Sequence, residues 1–282
     1  MAGMTTTTLN DLVQAAIAEC KFYVEQNAVL QNYVTNYSIP HKTVDVPIMG
    51  AATVIDVTEG TDLTGTSDLA TSKATITGAR YAVRDYISDD VVMESPEALG
   101  ALYGQAFGKA MASKLNQIIW ALFDGFSEAV GTTNVDITLA IIQEARAILE
   151  KAGAPEPYTL AITPHVHEDL IAAISDSTSV NLSAMYVNSV AERGVVQKVV
   201  GCDVIIVNDL AGTTGAGEKD GADAKCGLFS RGALGVNTAF PFTIEAARDI
   251  SMVGTELVGS TMFGAAELYD GYGVEVLCDN KD

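Results

Sequence analysis

Residues 95–127 constrain this chain more than any other stretch. Ser95 suits a helix N-cap, Pro96 suits the first helical position, and Glu97 faces the positive end of the helix dipole. Leu99, Leu102, Tyr103, Ala106, Phe107, Ala110, Met111, Leu115, Ile118, Ile119, Leu122, Phe123 and Phe126 then recur at three- and four-residue spacing. The spacing predicts a helix over about 96–127. At 1.5 Å per residue that is a rod of roughly 45 Å, well over twice the length of a mean globular helix. Gly100, Gly104, Gly108 and Ala112 interrupt its other face. The stripe is therefore not a heptad seam, and the small residues imply that another backbone packs closely there.

Strand-like and polar segments precede this rod. Leu9, Leu12, Val13, Ala16 and Ile17 fall on one helix face, and polar residues follow from Gln26 to Asn36. This reads as an arm with a short amphipathic helix, outside the core. Val44, Val46 and Ile48 alternate with Thr43, Asp45 and Pro47, and Val54, Ile55 and Val57 extend the run. A turn-rich tip spans Thr58 to Asp68, and the chain returns through Ala74 to Thr77 and Tyr81 to Ile87. These are two long strands around a polar tip. An isolated hairpin is marginal in water, so this one is expected to lie on something else, such as a neighbouring subunit.

After the rod, a second helix is predicted over about Ile137 to Lys151, with Asp136 as cap and Gly153 and Pro155 as stops. Tyr158 to Thr163 reads as a strand, and a helix begins at Pro164 and carries Val166, Leu170, Ile171 and Ile174. Two β-branched runs, Val195 to Val200 and Cys202 to Val207, flank a glycine turn. Residues 211–225 read as a flexible loop. Phe240, Phe242, Ile244 and Ala246 alternate, and 250–278 reads as strands broken by glycines. The segment Gly232 to Ile244 fits a core strand or an interface equally well. The fold class is α+β, a helix–strand mixture with a buried sheet.

Composition narrows the function. Apolar residues make up 48% and charged residues only 18%, yet 36 acids against 16 bases leave a formal net charge of −20. Mean hydropathy is +0.23. Scarce charge leaves much surface to be covered, and the simplest cover is other subunits. The scattered Lys and Arg form no basic stripe for a nucleic-acid backbone and no polybasic anchor for anionic lipid. No secretory signal and no apolar run long enough to span a membrane is visible. Cys20, Cys202, Cys226 and Cys278 lie far apart and read as reduced, buried thiols.

No motif carries chemistry. His165 and His167, beside Glu168, are the sharpest metal candidates, but Pro164 starts a helix, on which i and i+2 diverge by about 200°. The one other histidine is His41, and there is no HExxH spacing. In the loop Gly212 to Gly221, Gly217 is followed by Glu218 and Lys219, not by Lys and Ser or Thr as a P-loop requires. Gly104 to Ala110 fails the same test. There is no GxSxG, and Trp120 reads as packing.

The order of these pieces resembles the major capsid proteins of tailed phages, with the Hong Kong 97-like fold. Tyr37 to Pro40 and Val44 to Pro47 look like the start of that family's extended E-loop. Ser95 to Phe126 looks like its spine helix. Tyr158 to Pro164, with Leu170, and Gly194 to Leu210 are similar to its A-domain strands. The resemblance implies an N-terminal arm at 1–37, an E-loop hairpin at 38–80, a P-domain at 81–153 and 245–282, and an A-domain at 154–244. It implies homo-oligomeric hexamers and pentamers that close an icosahedral head around double-stranded DNA, without specific DNA binding and without a membrane. A separate scaffolding protein and a portal are the implied partners. The implied location is the virion, after assembly in the host cytoplasm. No catalytic, cofactor-binding or metal residue is implied. One branch of the family joins subunits by Lys–Asn isopeptide bonds, and Lys42 and Lys73 flank this hairpin. An encapsulin-type nanocompartment shell is the alternative, and a soluble α/β enzyme using His165, His167 or an acid cluster is the weaker one.

Overall fold

In a computed structural model of the chain, the small-residue face of the long helix is occupied by the N-terminal segment. Residues 16–24 form helix α1, which lies on helix α2 (Leu99–Trp120). A Cβ on Gly104 would collide with the carbonyl oxygen of Ala16, and one on Gly108 would sit 2.7 Å from that of Cys20. Ala16 and Cys20 are fully buried, and so are Leu30 and Val34 further on. The expectation of an arm outside the core is thus corrected for 16–34. Small residues four apart on both helices let the backbones touch, and apolar residues beyond α1, Leu30 and Val34, are buried as well. The structure describes residues 16–24, 27–50, 71–90, 99–175, 197–208 and 223–279, with isolated positions from 52 to 62 and Leu210. The helix-start signal Ser95 to Glu97, the loop 211–222 and Val195 with Val196 lie outside them.

The long helix ends earlier than its periodicity predicts. It ends at Trp120, and Phe123–Gly125 form a 3-10 turn before Phe126 turns extended. Phe123 and Phe126 keep the helical spacing for another reason: both are core residues. Phe123 lies 5.2 Å from Trp120 and 5.4 Å from Phe229, ring to ring. Gly227 makes room for Phe123, since a Cβ there would be 2.7 Å from its ring. The 22 helical residues among those described span about 33 Å.

Strands β1 (Thr35–Tyr37), β2 (Thr43–Met49), β3 (Thr71–Thr77), β4 (Ala79–Ser88), β5 (Ala129–Gly131) and β6 (Tyr158–Ile162) are followed by β7 (Lys198–Val199), β8 (Cys202–Ile206), β9 (Ala224–Ser230), β10 (Leu234–Asp249), β11 (Gly254–Glu267) and β12 (Gly273–Cys278). They form a long sheet in the order β1-β10-β11-β4, a six-stranded sheet in the order β5-β12-β9-β6-β8-β7, and the hairpin β2-β3. In the six-stranded sheet, β6 is buried along its whole length and runs parallel to β8 and antiparallel to β9. That explains its continuous apolar sequence. Helices α3 (Leu139–Lys151) and α4 (Pro164–Ser175) follow the predicted pattern. The cap of α3 is Thr138, whose hydroxyl accepts from the Ile141 amide; Asp136, the expected cap, is two residues too early. Gly153, at φ +72°, ends α3 as predicted.

Three strand expectations change. Strand β2 stops at Met49, so Val54 and Val57 lie beyond the pairing. The returning strand divides at Gly78: β3 pairs with β2, whereas β4 pairs with β11 from Ser88↔Gly254 to Ala79↔Phe263. The glycines of 250–278 do not break β11, which runs through Gly259 and Gly264. A Cβ on Gly259 would lie 3.1 Å from Phe107 of α2, and one on Gly264 would strike the Thr77 carbonyl. These glycines mark close approach, not strand ends.

Helix α2 links two cores. Its Ala112, Leu115, Ile119 and Trp120 join the large cluster under the six-stranded sheet. Its Phe107 joins a small one with Ala16, Cys20, Ile87, Ile244 and Leu257, against the long sheet.

Candidate assembly surfaces

The β2–β3 hairpin is anchored at one end and bare at the other. Register runs from Thr43↔Thr77 to Met49↔Thr71. At its base Val44 and Ile76 are buried, and the Gly78 amide donates to the Lys42 carbonyl at 2.7 Å. Asn237, fully buried on β10, accepts from the Ile39 amide at 2.9 Å and donates to the Ile39 and His41 carbonyls at 3.2 Å. Toward the tip the apolar side chains have no cover: Met49 is 68% exposed and Val54 is 90% exposed. Lys73 pairs with Asp45 at 2.7 Å across the strands, and the Thr75 hydroxyl donates to the same carboxylate. Together these bonds hold Asp45 below its ordinary pKa.

A second bare apolar knob caps the long sheet. Ile250, at 86% exposure, and the exposed Met252 and Val253 form the turn between β10 and β11. The turn is stiffened from below. Arg248 donates to both oxygens of Asp89, at 3.1 and 2.7 Å, and that guanidinium keeps Asp89 below the usual carboxylate range. Arg84 pairs with Glu256, and the Tyr86 hydroxyl donates to the Met252 carbonyl. The reading of 250–278 as broken strands missed this knob. Its only sequence signal is three apolar residues within a turn.

The chemical candidates do not converge. His165 and His167 occupy the first turn of α4, where their directions diverge. His167 is buried, which pushes its imidazole below its ordinary pKa; His165 is half-buried and Glu168 is exposed. His41 stands at the hairpin base, on another element. Among the described residues no group of three or more His, Cys, Asp and Glu side chains is placed to hold a metal. Gly104 to Ala110 lies inside α2. All four cysteines are buried thiols, and burial pushes Cys20 up to about 12 and Cys202 up to about 11. Trp120 is packed in the core, as read. A polar cleft of about 250 Å³ lies between Asn27, Lys109, Ser113, Asn116 and Asn208. Asn116 there ties the N-terminal segment to α2: its amide donates to the Asn27 carbonyl at 2.8 Å and its oxygen accepts from the Leu30 amide at 3.4 Å. No helix among the described residues is long and apolar enough to cross a membrane.

Among the described residues no catalytic set converges, while the hairpin end and the β10–β11 knob leave large apolar side chains exposed. Residues 71–275 match the family model described as phage capsid protein. The fold is similar to a chain of Mycobacterium phage Che8 (17% identity, 84% of each chain covered, TM-score 0.66). It is also similar to one in the capsid of cyanophage P-SCSP1u (20% identity, 90% of this chain and 88% of that one, TM-score 0.63). A virus-like particle from Pyrococcus furiosus shares the fold too (11% identity, 94% and 98% covered, TM-score 0.61). No curated protein matches in sequence. The chain belongs to the phage capsid protein family. It is a major capsid protein of the Hong Kong 97-like fold, a structural component of a phage virion.

Proposed function

We propose that copies of this chain assemble into hexamers and pentamers that close an icosahedral head around double-stranded DNA. The observation that carries this reading is the β2–β3 hairpin, whose strands pair among the described residues only with each other and leave Met49 and Val54 exposed. Two strands alone are marginal in water, so the hairpin is completed when it lies on a neighbouring subunit. Contacts repeated head to tail around a ring close by rotation. The subunit is divided into an arm, an E-loop hairpin at 38–80, a P-domain built on α2 and the long sheet, and an A-domain built on the six-stranded sheet. Strands β5 and β12 join that last sheet from outside 154–244.

Assembly takes place in the host cytoplasm with a separate scaffolding protein and a portal, and the chain catalyses no reaction of its own. The excess of 36 acids over 16 bases lets the wall surround DNA without gripping it. The family match supports a phage head over an encapsulin-type compartment, whose fold would look the same. Electron microscopy of the chain expressed with and without its neighbouring genes tests this. Uniform closed shells containing DNA after packaging are expected; a stable monomer in every condition overturns it.

A further inference from the structure

Among the described residues the chain passes between its two larger sheets three times, and two of these crossings meet at one pair of carboxyl groups. One runs from α2 through the Phe123–Gly125 turn and Ser127 to β5. The other runs from Glu267, the last residue of β11, through the 3-10 turn Asp270–Tyr272 to β12. The Ser127 amide donates to Asp270 Oδ1 at 2.8 Å, and the Ser127 hydroxyl donates to Asp270 Oδ2. A Cβ on Gly125 would lie 3.4 Å from Glu267 Oε2. Both carboxyl groups therefore sit on the same turn. There the two carboxyl groups stand side by side, and carboxyls that meet can share a hydrogen bond only if one carries a proton.

The surroundings place that proton on Glu267. Burial, then the bond to Asp270 and its charge, push Glu267 up to about 7. Burial raises Asp270 as well, but the two Ser127 bonds and the bond from Glu267 outweigh it and leave Asp270 below its ordinary value. Other charged groups nearby are engaged elsewhere. Lys225 of β9 pairs with Asp124 of the first turn and with Glu275 of β12. Tyr269 and Tyr272 stack on each other, 5.1 Å between centroids.

We propose that Glu267 and Asp270 form a proton-held latch on these two crossings between the sheets. With the proton, the turn at 270–272 is tied to the turn at 123–127 through both side chains. Without it, two adjacent carboxylates repel, and the Ser127 bonds alone hold the crossings. The sign follows from a raised acid: the latch is intact at low pH and is lost as pH rises through about 7.

Hydrogen exchange of the full chain, read by mass spectrometry at pH 6.0 and 8.5 and corrected for intrinsic rate, tests the latch. Peptides over 123–131 and 267–275 are expected to open about tenfold more readily at pH 8.5, whereas 158–162 stays unchanged. In Glu267→Gln, whose amide keeps a donor without the charge, the pH difference should fall to about twofold or less. A wild-type chain with no pH difference at the crossings, or a Glu267→Gln chain that keeps all of it, overturns the proposal. Asp270→Asn, which also removes the repulsion, is the second variant, with the same two outcomes. In the wild-type chain, carbon-13 titration of the Glu267 carboxyl should show a midpoint near 7; an ordinary glutamate midpoint overturns the assignment without any variant.

Discussion

The two ends of helix α2 live in different kinds of structure. Its C-terminal half is buried in the six-stranded region, where Trp120, Phe123 and Phe229 pack ring against ring and α3 and α4 add Leu149 and Leu170. Its N-terminal half meets a thin cluster at Phe107, backed by a sheet only four strands wide that ends in the bare Ile250 knob. The hairpin has less still. Apolar burial is the main favourable term in folding, so the first region is stable by its own contacts, whereas the second leaves large apolar side chains exposed. A shell subunit needs both: a rigid block to hold shape, and an extended part whose unsatisfied surface is the reason to assemble.

Substitutions can break this contrast. The largest effect is expected in the rigid block. Phe123→Ala should cost about 3–5 kcal/mol, because the ring fills space between α2 and β9 that neighbours cannot close. Denaturant unfolding of the free chain measures it, and a loss under 1 kcal/mol would mean the two regions do not differ as described. Next comes the contact between α1 and α2. Gly104→Val drives a side chain into the Ala16 carbonyl and should cost about 1–3 kcal/mol, with α1 becoming the first site of protease cleavage. Asn116→Ala should follow at about 1–2 kcal/mol, since it strips the buried Leu30 amide and Asn27 carbonyl of their partners. The smallest effect on folding belongs to the hairpin. Met49→Asp should change stability by less than about 0.5 kcal/mol yet sharply lower shell yield, counted by electron microscopy. Equal loss of stability and of shells would show that the hairpin is folded into its own subunit after all.

Much of the rigid block was legible in sequence because its signals are local. Apolar spacing marked α2, α3 and α4. The uninterrupted run Tyr158 to Ile162 marked a central strand, and Gly201, at positive φ, marked the turn between β7 and β8. The extended region was legible mainly as order: a hairpin, then a long helix, then strands again at the end. Its details escaped because they depend on distant partners. Nothing near Gly78 says that β3 and β4 serve different sheets. Nothing near Asn237 says that it holds residues 39 and 41. The latch residues Glu267 and Asp270 are two acids among 36 until the fold sets them on one turn.

Periodicity by itself marked α2, α3, α4 and the strand at 158–162, because a residue's side of an element follows from its position in the repeat. Composition determined the acidity that sets the chain apart from nucleic-acid binders. The tertiary structure alone decided where α2 stops, since Phe123 and Phe126 keep a helical spacing while answering to a core built from β9 and β12. It alone decided that residues 16–34 belong inside, because the small side chains of Ala16 and Cys20 meet glycines on a helix some ninety residues away.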